Sequence, residues 1–395
     1  RTVVMSSASG ATTADLGFLE SIDECWRIWD GPKAGGRPVW LRPDRTPPLA
    51  SLTCSSCGHP MTFVLQVYSP RDEPDDAFHR CIYVFACLSA RCFKRNGPTV
   101  LRAQLPRRNA FLPYDADDTV PVADVSRPTP FCAVTGLPCA TADQHVCAPR
   151  YALPPTHGAV PSFQGRTSYA FGGCTDPHPL LLPEHEVELE EEPDETEREA
   201  AVREQELLRR YQEEAKAGAV DEADDVSQQD LVDALGPRAK PLDKQLRRFN
   251  QRVQRAPEQV LRVVPSGCSA DDARTCVLWC HSEGKPAADA TADGDVGVPP
   301  CPLCGAARLP LFQIMPQAIH LLRMTAVAEA MKVAPLDFGV VVVYACSASC
   351  TPSPSDEWGE YAREAAWVQM MGDDRLSAEE EAAAAAKVEG ADASV

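Results

Sequence analysis

The residues best suited to chemistry in this chain are cysteines. CSSCG at 54–58 and CPLCG at 301–305 each set two thiols three positions apart and follow them with glycine. A turn of that length aims both sulfurs at one point, and the glycine allows the tight backbone it needs. Each pair has a sequel. Cys87 and Cys92 follow the apolar run RCIYVFAC (80–87), and Cys346 and Cys350 follow DFGVVVVYAC (337–346). Both runs end aromatic-Ala-Cys. Both copies also carry a glutamine nine positions after the second cysteine, Gln66 and Gln313, and reach a proline soon afterwards. The repeated unit is thiol pair, strand, connection, strand, thiol pair.

Four thiolates brought to one point suit zinc, which takes four soft ligands in a tetrahedron at about 2.3 Å. The expected ligands form two structural four-cysteine zinc sites: Cys54, Cys57, Cys87 and Cys92, and Cys301, Cys304, Cys346 and Cys350. A metal held this way contributes on the order of 10 kcal/mol to folding, because it pins distant segments. Its shell is closed, so no position is left to activate water. Buried free thiols are the plain alternative for a lone pair, and the duplication argues against it. A thioredoxin-like redox role lacks the βαβ context it requires.

The other cysteines read differently. Cys81 lies inside an apolar run and reads as a small buried hydrophobe. Cys132, Cys139, Cys147 and Cys174, with His145, could form a third metal site, but their spacings match no standard knuckle. Cys268, Cys276 and Cys280, with His281, flank an expected strand at VLWC (277–280) and read as free thiols. No phosphate-binding, dinucleotide-binding, zinc-protease or nucleophile-elbow motif is present. The eight histidines do not cluster, and His79 and His320 read as structural. The expectation is a protein that is not an enzyme.

The elements that must position the thiols can be read from periodicity. MTFVLQVY (61–68) and RCIYVFAC are rich in β-branched and aromatic residues and predict an antiparallel pair. GGRPVWL (35–41) predicts a glycine turn feeding a short strand. A strand at 309–315, a helix from Pro316 carrying Ile319, Leu322 and Val327, and a buried strand at 337–346 follow in the second half. Leu242, Leu246, Phe249 and Val253 mark one face of a helix over 242–256, interleaved with Arg247, Arg248, Arg252 and Arg255. Packing on the domain is the favoured role of that helix, ahead of binding acid or membrane.

Composition bounds the function. The 395 residues carry a net charge of −19, which disfavours a general nucleic-acid binder and favours a basic partner. No run of 18 apolar residues and no export signal is visible, which points to cytosol or nucleus, where thiols stay reduced. The segment 184–230 holds 19 acidic against 5 basic residues. EHEVELEEEPDETERE (184–199) reads as a solvated acidic run leading into a solvated helix that ends near Gly218.

These residues resemble the programmed cell death protein 2 family, which includes the yeast twenty-S-rRNA accumulation protein and the programmed cell death protein 2-like proteins. The resemblance is carried by LGF (16–18), GGRPVWL, the C-x-x-C-G segment running into FVLQVYSP (63–70), DAFHRCIYVFAC (76–87) and QLPRRNAF (104–111). In the second half it is carried by PEQVLR (257–262), CPLCGAARLPLFQIMPQ (301–317) and DFGVVVVYACSASC (337–350). It implies a dedicated chaperone of one small-subunit ribosomal protein, the eukaryotic S-two (universal S-five) protein, supporting assembly of the small ribosomal subunit. It carries the same eight cysteines over as zinc ligands. Animal members add a MYND finger between the halves; residues 132–174 lack the paired spacing for one.

The expected fold is mainly β (α+β): two related zinc-stabilised half-modules forming one body, joined by a disordered acidic insert. The expected divisions are a disordered N-terminus (1–15), a first half-module (16–112), a Pro/Cys-rich insert (113–183), an acidic linker with a solvated helix (184–240), a second half-module (241–372) and an acidic tail (373–395). The expected partner is a basic small-subunit ribosomal protein, taken up by an exposed strand edge, with pre-ribosomal particles as wider context and no membrane. Direct RNA binding in pre-rRNA processing, and a zinc scaffold in apoptosis or transcription complexes, are the rival readings. The expected location is the cytoplasm, with the nucleus open.

Overall fold

A computed structural model describes residues 13–20, 31–42, 46–58, 60–109, 112, 181–193, 244–287, 297–331, 333–353 and 359–371. Four strands of the first half run β2 (Lys33–Ala34), β3 (Thr62–Tyr68), β4 (His79–Ala86) and β5 (Thr99–Leu105). Four of the second half run β7 (Leu261–Val263), β8 (Arg308–Ile314), β9 (Val340–Cys346) and β10 (Ala362–Gln369). Each set is an antiparallel meander, β2-β3-β4-β5 and β7-β8-β9-β10. At one seam β5 pairs with β10, Ala362 facing Arg102. At the other, β1 (Asp15–Glu20) and β6 (His185–Glu191) pair along their whole length, and each also pairs with one half. The result is a closed ten-stranded barrel in the order β1-β6-β2-β3-β4-β5-β10-β9-β8-β7. The two halves are one body, as the sequence predicted.

Closure explains the apolar runs. One buried cluster draws residues from strands all round the barrel, among them Leu65, Val84, Val100, Val187, Leu261, Phe312 and Val343, and so fills its interior. Two further clusters cover the outer faces. Trp40, Leu41, Tyr83, Phe85 and Tyr361 cover the first half. Phe249, Val253, Trp279, Val342 and Tyr344 cover the second. Strands β4 and β9 are therefore buried on both faces, which is why they read as continuous apolar runs.

The duplication extends to the register. A bulge sits between Phe63 and Leu65 in β3 and between Pro310 and Phe312 in β8, at the same distance from each thiol pair. The two glutamines share a task. Gln66 Oε1 accepts from the backbone N–H of Val39, at 2.8 Å, and Gln313 Oε1 accepts from that of Leu278, at 2.7 Å. Gln313 Nε2 also donates to the Leu278 carbonyl, at 3.0 Å, so its amide stands in for a peptide unit of a neighbouring strand. Each glutamine thereby fastens the residue before a buried tryptophan, Trp40 or Trp279, onto the outer face.

That substitution corrects two expectations. Neither 277–280 nor 35–41 forms a strand; side chains hold these segments where a ladder was expected, and the strand near the glycines is the preceding Lys33–Ala34. The expected helix after Pro316 is two short helices, α4 (Gln317–Leu321) and α5 (Met324–Ala330), broken where Arg323 takes a left-handed φ of 52°. The acidic run at 184–199 is not solvated throughout. Val187 is 4% exposed and faces the interior, so His185–Glu191 alternates as a strand. The expected sheet edges are also removed by barrel closure. α1 (Ala90–Asn96) follows Cys87; α2 (Lys244–Val253) packs through Phe249 and Val253, as its apolar face predicted; α3 (Ala270–Thr275) is capped by Ser269.

Glu192, just past β6, ties the acidic strand to the second half. Its oxygens accept from Arg262 on β7 at 2.7 and 2.9 Å and from Arg252 on α2 at 2.6 Å. Burial opposes the charge, but these two guanidiniums hold the carboxyl down at about 2. The expected helix at 196–218, Leu242, the N-terminal residues 1–12 and the tail beyond 371 lie outside the described residues.

Replacing Gln66 or Gln313 by alanine orphans buried backbone groups, at about 1–3 kcal/mol per unsatisfied group. Urea unfolding of the two variants is expected to show both destabilised, since each loses the side chain that satisfies the buried N–H before its tryptophan.

Candidate metal centres

Both thiol pairs sit on knuckles closed by a backbone bond. Gly58 N–H donates to the Cys54 carbonyl at 2.9 Å, and Gly305 N–H to the Cys301 carbonyl at 2.8 Å. Gly58 and Gly305 have φ of 70° and 73°, a region that side chains disfavour, so the glycine noted in both motifs is required. Each knuckle leads into β3 or β8. The partner strand β4 or β9 returns alongside and delivers the second thiol pair beside the first.

The structure brings together all eight cysteines singled out from the sequence, in two quartets: Cys54, Cys57, Cys87 and Cys92, and Cys301, Cys304, Cys346 and Cys350. Within each, the sulfurs lie within 4.8 Å of one another, and each quartet could hold a metal ion. Contacts of 3.8 Å between Cys57 and Cys87, 3.5 Å between Cys301 and Cys350, and 3.5 Å between Cys304 and Cys346 are non-bonded separations, too long for disulfides. Cys57 and Cys304 are exposed at the knuckle tips, and Cys54, Cys87, Cys92, Cys301 and Cys346 are buried.

The thiols of a quartet are not alike. Burial opposes the Cys54 thiolate, but N–H donors of Cys57 and Ser56 outweigh it and lower its pKa. In the second quartet burial likewise opposes the Cys346 thiolate, and donors from Cys350, Cys304 and Ala348 lower it. Cys87 is raised, first by burial and then by the charges of its three companions. Cys350 is raised first by burial and then through its contacts with Cys301 and Cys304. Four thiolates crowded together repel; a divalent cation at the centre removes that conflict.

Groups around the second quartet were not found from the sequence. Arg102 on β5 reaches Cys350 Sγ at 3.7 Å, and Glu364 on β10 accepts from the Cys346 N–H at 3.1 Å. The available signal was Arg102 itself, a charge inside the alternating run TVLRAQL. Glu364 lies in AREAAWVQ, whose Ala and Glu content suggests helix rather than strand. Around the first quartet, Asn96 Nδ2 donates to Cys54 Sγ at 3.6 Å and to Ser56 Oγ at 2.9 Å.

The remaining cysteines stay out of both quartets. Cys81 is 1% exposed under Tyr83, and burial raises its thiol to about 12. Cys268, Cys276 and Cys280 form no disulfide; burial raises Cys280 to about 11, and its Sγ donates to Gln369 Oε1 at 3.0 Å. Cys132, Cys139, Cys147, Cys174 and His145 lie outside the described residues. Among the described residues no helix is long and apolar enough to cross a membrane.

Comparison with known proteins covers both halves. Residues 13–119 match the family described as "Programmed cell death protein 2, N-terminal domain", and residues 243–370 match "Programmed cell death protein 2, C-terminal putative domain". The chain is 29% identical to Programmed cell death protein 2 of Bos taurus over 364 residues, covering 87% of this chain and 94% of the bovine protein. It is 28% identical to the protein of the same name from Mus musculus, covering 93% and 99%. It is 25% identical to Programmed cell death protein 2-like of Homo sapiens, covering 82% and 86%. No solved structure matches.

Metal titration of the reduced chain is expected to saturate at two ions. Cys54→Ser or Cys301→Ser is expected to lower this to one, and the double variant to none; unchanged stoichiometry in the single variants would show that other groups bind the metal.

Proposed function

The chain belongs to the programmed cell death protein 2 family, and from that membership we propose that it is a dedicated chaperone for a basic small-subunit ribosomal protein of the universal S-five family. In this reading both quartets hold zinc. Sulfur separations of 3.5–3.8 Å suit it, since a tetrahedron of about 2.3 Å radius has edges of about 3.8 Å. Cys54, Cys57, Cys87 and Cys92 hold one ion, and Cys301, Cys304, Cys346 and Cys350 the other. Bound zinc supplies rigidity rather than reactivity, because four sulfurs fill its shell.

The observation that carries the client reading is the acidic face of the β1–β6 pair. Glu20 faces Glu186 directly across the ladder, and Glu188 and Glu190 follow on the same outer face, opposite Phe18 and Leu16. Of these, Glu20, Glu188 and Glu190 are exposed. Like charges set opposite each other destabilise a sheet. A cationic guest relieves that repulsion, and a net charge of −19 draws such a guest from a distance. Ribosomal proteins are strongly basic and aggregate before they meet RNA, so a rigid acidic surface is a fitting holder. With the sheet edges paired in a closed barrel, the contact proposed for the guest is this charged face. Support for small-subunit assembly and rRNA processing, in cytoplasm or nucleus, follows from the client.

Affinity isolation of the intact protein at low salt is expected to recover one basic small-subunit ribosomal protein. Glu186→Lys/Glu188→Lys/Glu190→Lys is expected to lower that recovery about tenfold or more while metal content stays at two ions. Recovery of RNA in place of the protein would favour the pre-rRNA reading, and full recovery with the triple variant would remove the acidic face from the account.

A further inference from the structure

The two quartets differ in what surrounds them. The first meets the second half through neutral groups: Ala90 N–H to the Ala334 carbonyl at 2.8 Å, Leu336 N–H to the Leu88 carbonyl at 3.0 Å, and the Phe93–Phe338 ring pair. The second meets the first half through charge. Arg102, from β5, donates to Cys350 Sγ and, through Nε, to Glu364 Oε1 at 2.6 Å; both side chains are 0% exposed. Glu364 Oε2 accepts from Arg308 Nε at 3.0 Å and from the Cys346 N–H. Arg80, from β4, donates to Ser349 Oγ at 2.9 Å, and Gln104 donates to the Ser349 carbonyl at 3.0 Å. Ser349, inside the Cys346–Cys350 turn, has a φ of 45° and is 1% exposed.

This buried region holds three guanidiniums, Arg80, Arg102 and Arg308, and one carboxylate, Glu364. The imbalance is two positive charges. A divalent ion held by four thiolates carries two negative charges, so the region becomes neutral when the second quartet is filled. All of this sits where β5 pairs with β10, the seam that joins the two meanders directly.

We propose that the second metal centre is the electrostatic latch of the barrel, and that Arg102 is the positioning residue through which filling that centre and closing the β5–β10 seam become one event. The first centre braces the body without that charge linkage. The inference rests on the zinc reading of the quartets and is independent of the ribosomal client.

The test uses the full-length, zinc-loaded chain. Release of its two ions to a chelating dye is timed while backbone hydrogen exchange is followed at 99–105 and 362–369. In the native chain, loss of the ion from the Cys301 quartet is expected to deprotect both strands in step, with β3 unchanged. Arg102→Met is expected to speed release of that ion tenfold or more and leave the other within about twofold. Arg102→Lys, which keeps the charge, is expected to recover part of the difference, and Asn96→Ala to speed release from the first quartet alone. Equal release rates in Arg102→Met and native chain, or a seam that stays protected after the second ion leaves, would overturn the latch. Should Arg102→Met fail to fold, stepwise stripping of the native chain decides the matter by the same exchange readout. A chain that takes up no metal would sink the zinc reading itself, a distinct outcome.

Discussion

Convergence of four sulfurs at each of two points is the constraint on which the architecture depends. Each point joins a knuckle to the end of a strand some 30 residues or more away in sequence, and so fixes which strands are neighbours. Once β3 lies beside β4 and β8 beside β9, the bulges, the glutamine clamps and the buried tryptophans fall into matching places in both halves. Neither meander closes by itself. Closure needs the β5–β10 seam and the inserted β1–β6 pair, one strand of which adjoins each half. The barrel is therefore a joint product of two units, each built round a thiol quartet, and not a chain of two separate domains.

Charge is distributed to match this plan. The buried ionic groups gather at joints: Glu192 with Arg252 and Arg262 where β6 meets the second half, and Glu364 with Arg102 and Arg308 at the opposite seam. Buried pairs are weak sources of net stability but strict about geometry, so they specify which surfaces meet. The exposed acids are concentrated instead on the outer side of the β1–β6 pair, where a positive partner can reach them. One strand thus serves two purposes: Val187 and Leu189 belong to the barrel core, while Glu188 and Glu190 face solvent.

Much of this was legible in the sequence, for physical reasons. The thiol spacing was visible because metal geometry tolerates little variation. Strands β3, β4 and β9 were visible because both their faces are buried, which demands β-branched and aromatic residues, and β8 because its second half is buried in the same way. The pairing of α2 with the core could be read from its apolar stripe. Strand β6 was hidden because its solvent face is nearly all glutamate, so composition masked an alternation of two. Strand β10 was hidden because its three alanines and its glutamate are helix formers, overruled here by pairing with β9 and β5. VLWC was misread as a strand because its neighbour is a glutamine side chain. Barrel closure, and with it the loss of free edges, is a property of long-range pairing that no local pattern announces.

Eight cysteines, in two quartets, are proposed to hold two zinc ions. X-ray absorption at the zinc edge of the purified, reduced protein tests that most directly. Such binding predicts four sulfur neighbours per zinc at about 2.3 Å and no nitrogen or oxygen ligand. A shell containing nitrogen or oxygen, or sulfur oxidised to disulfide with no metal bound, would contradict it.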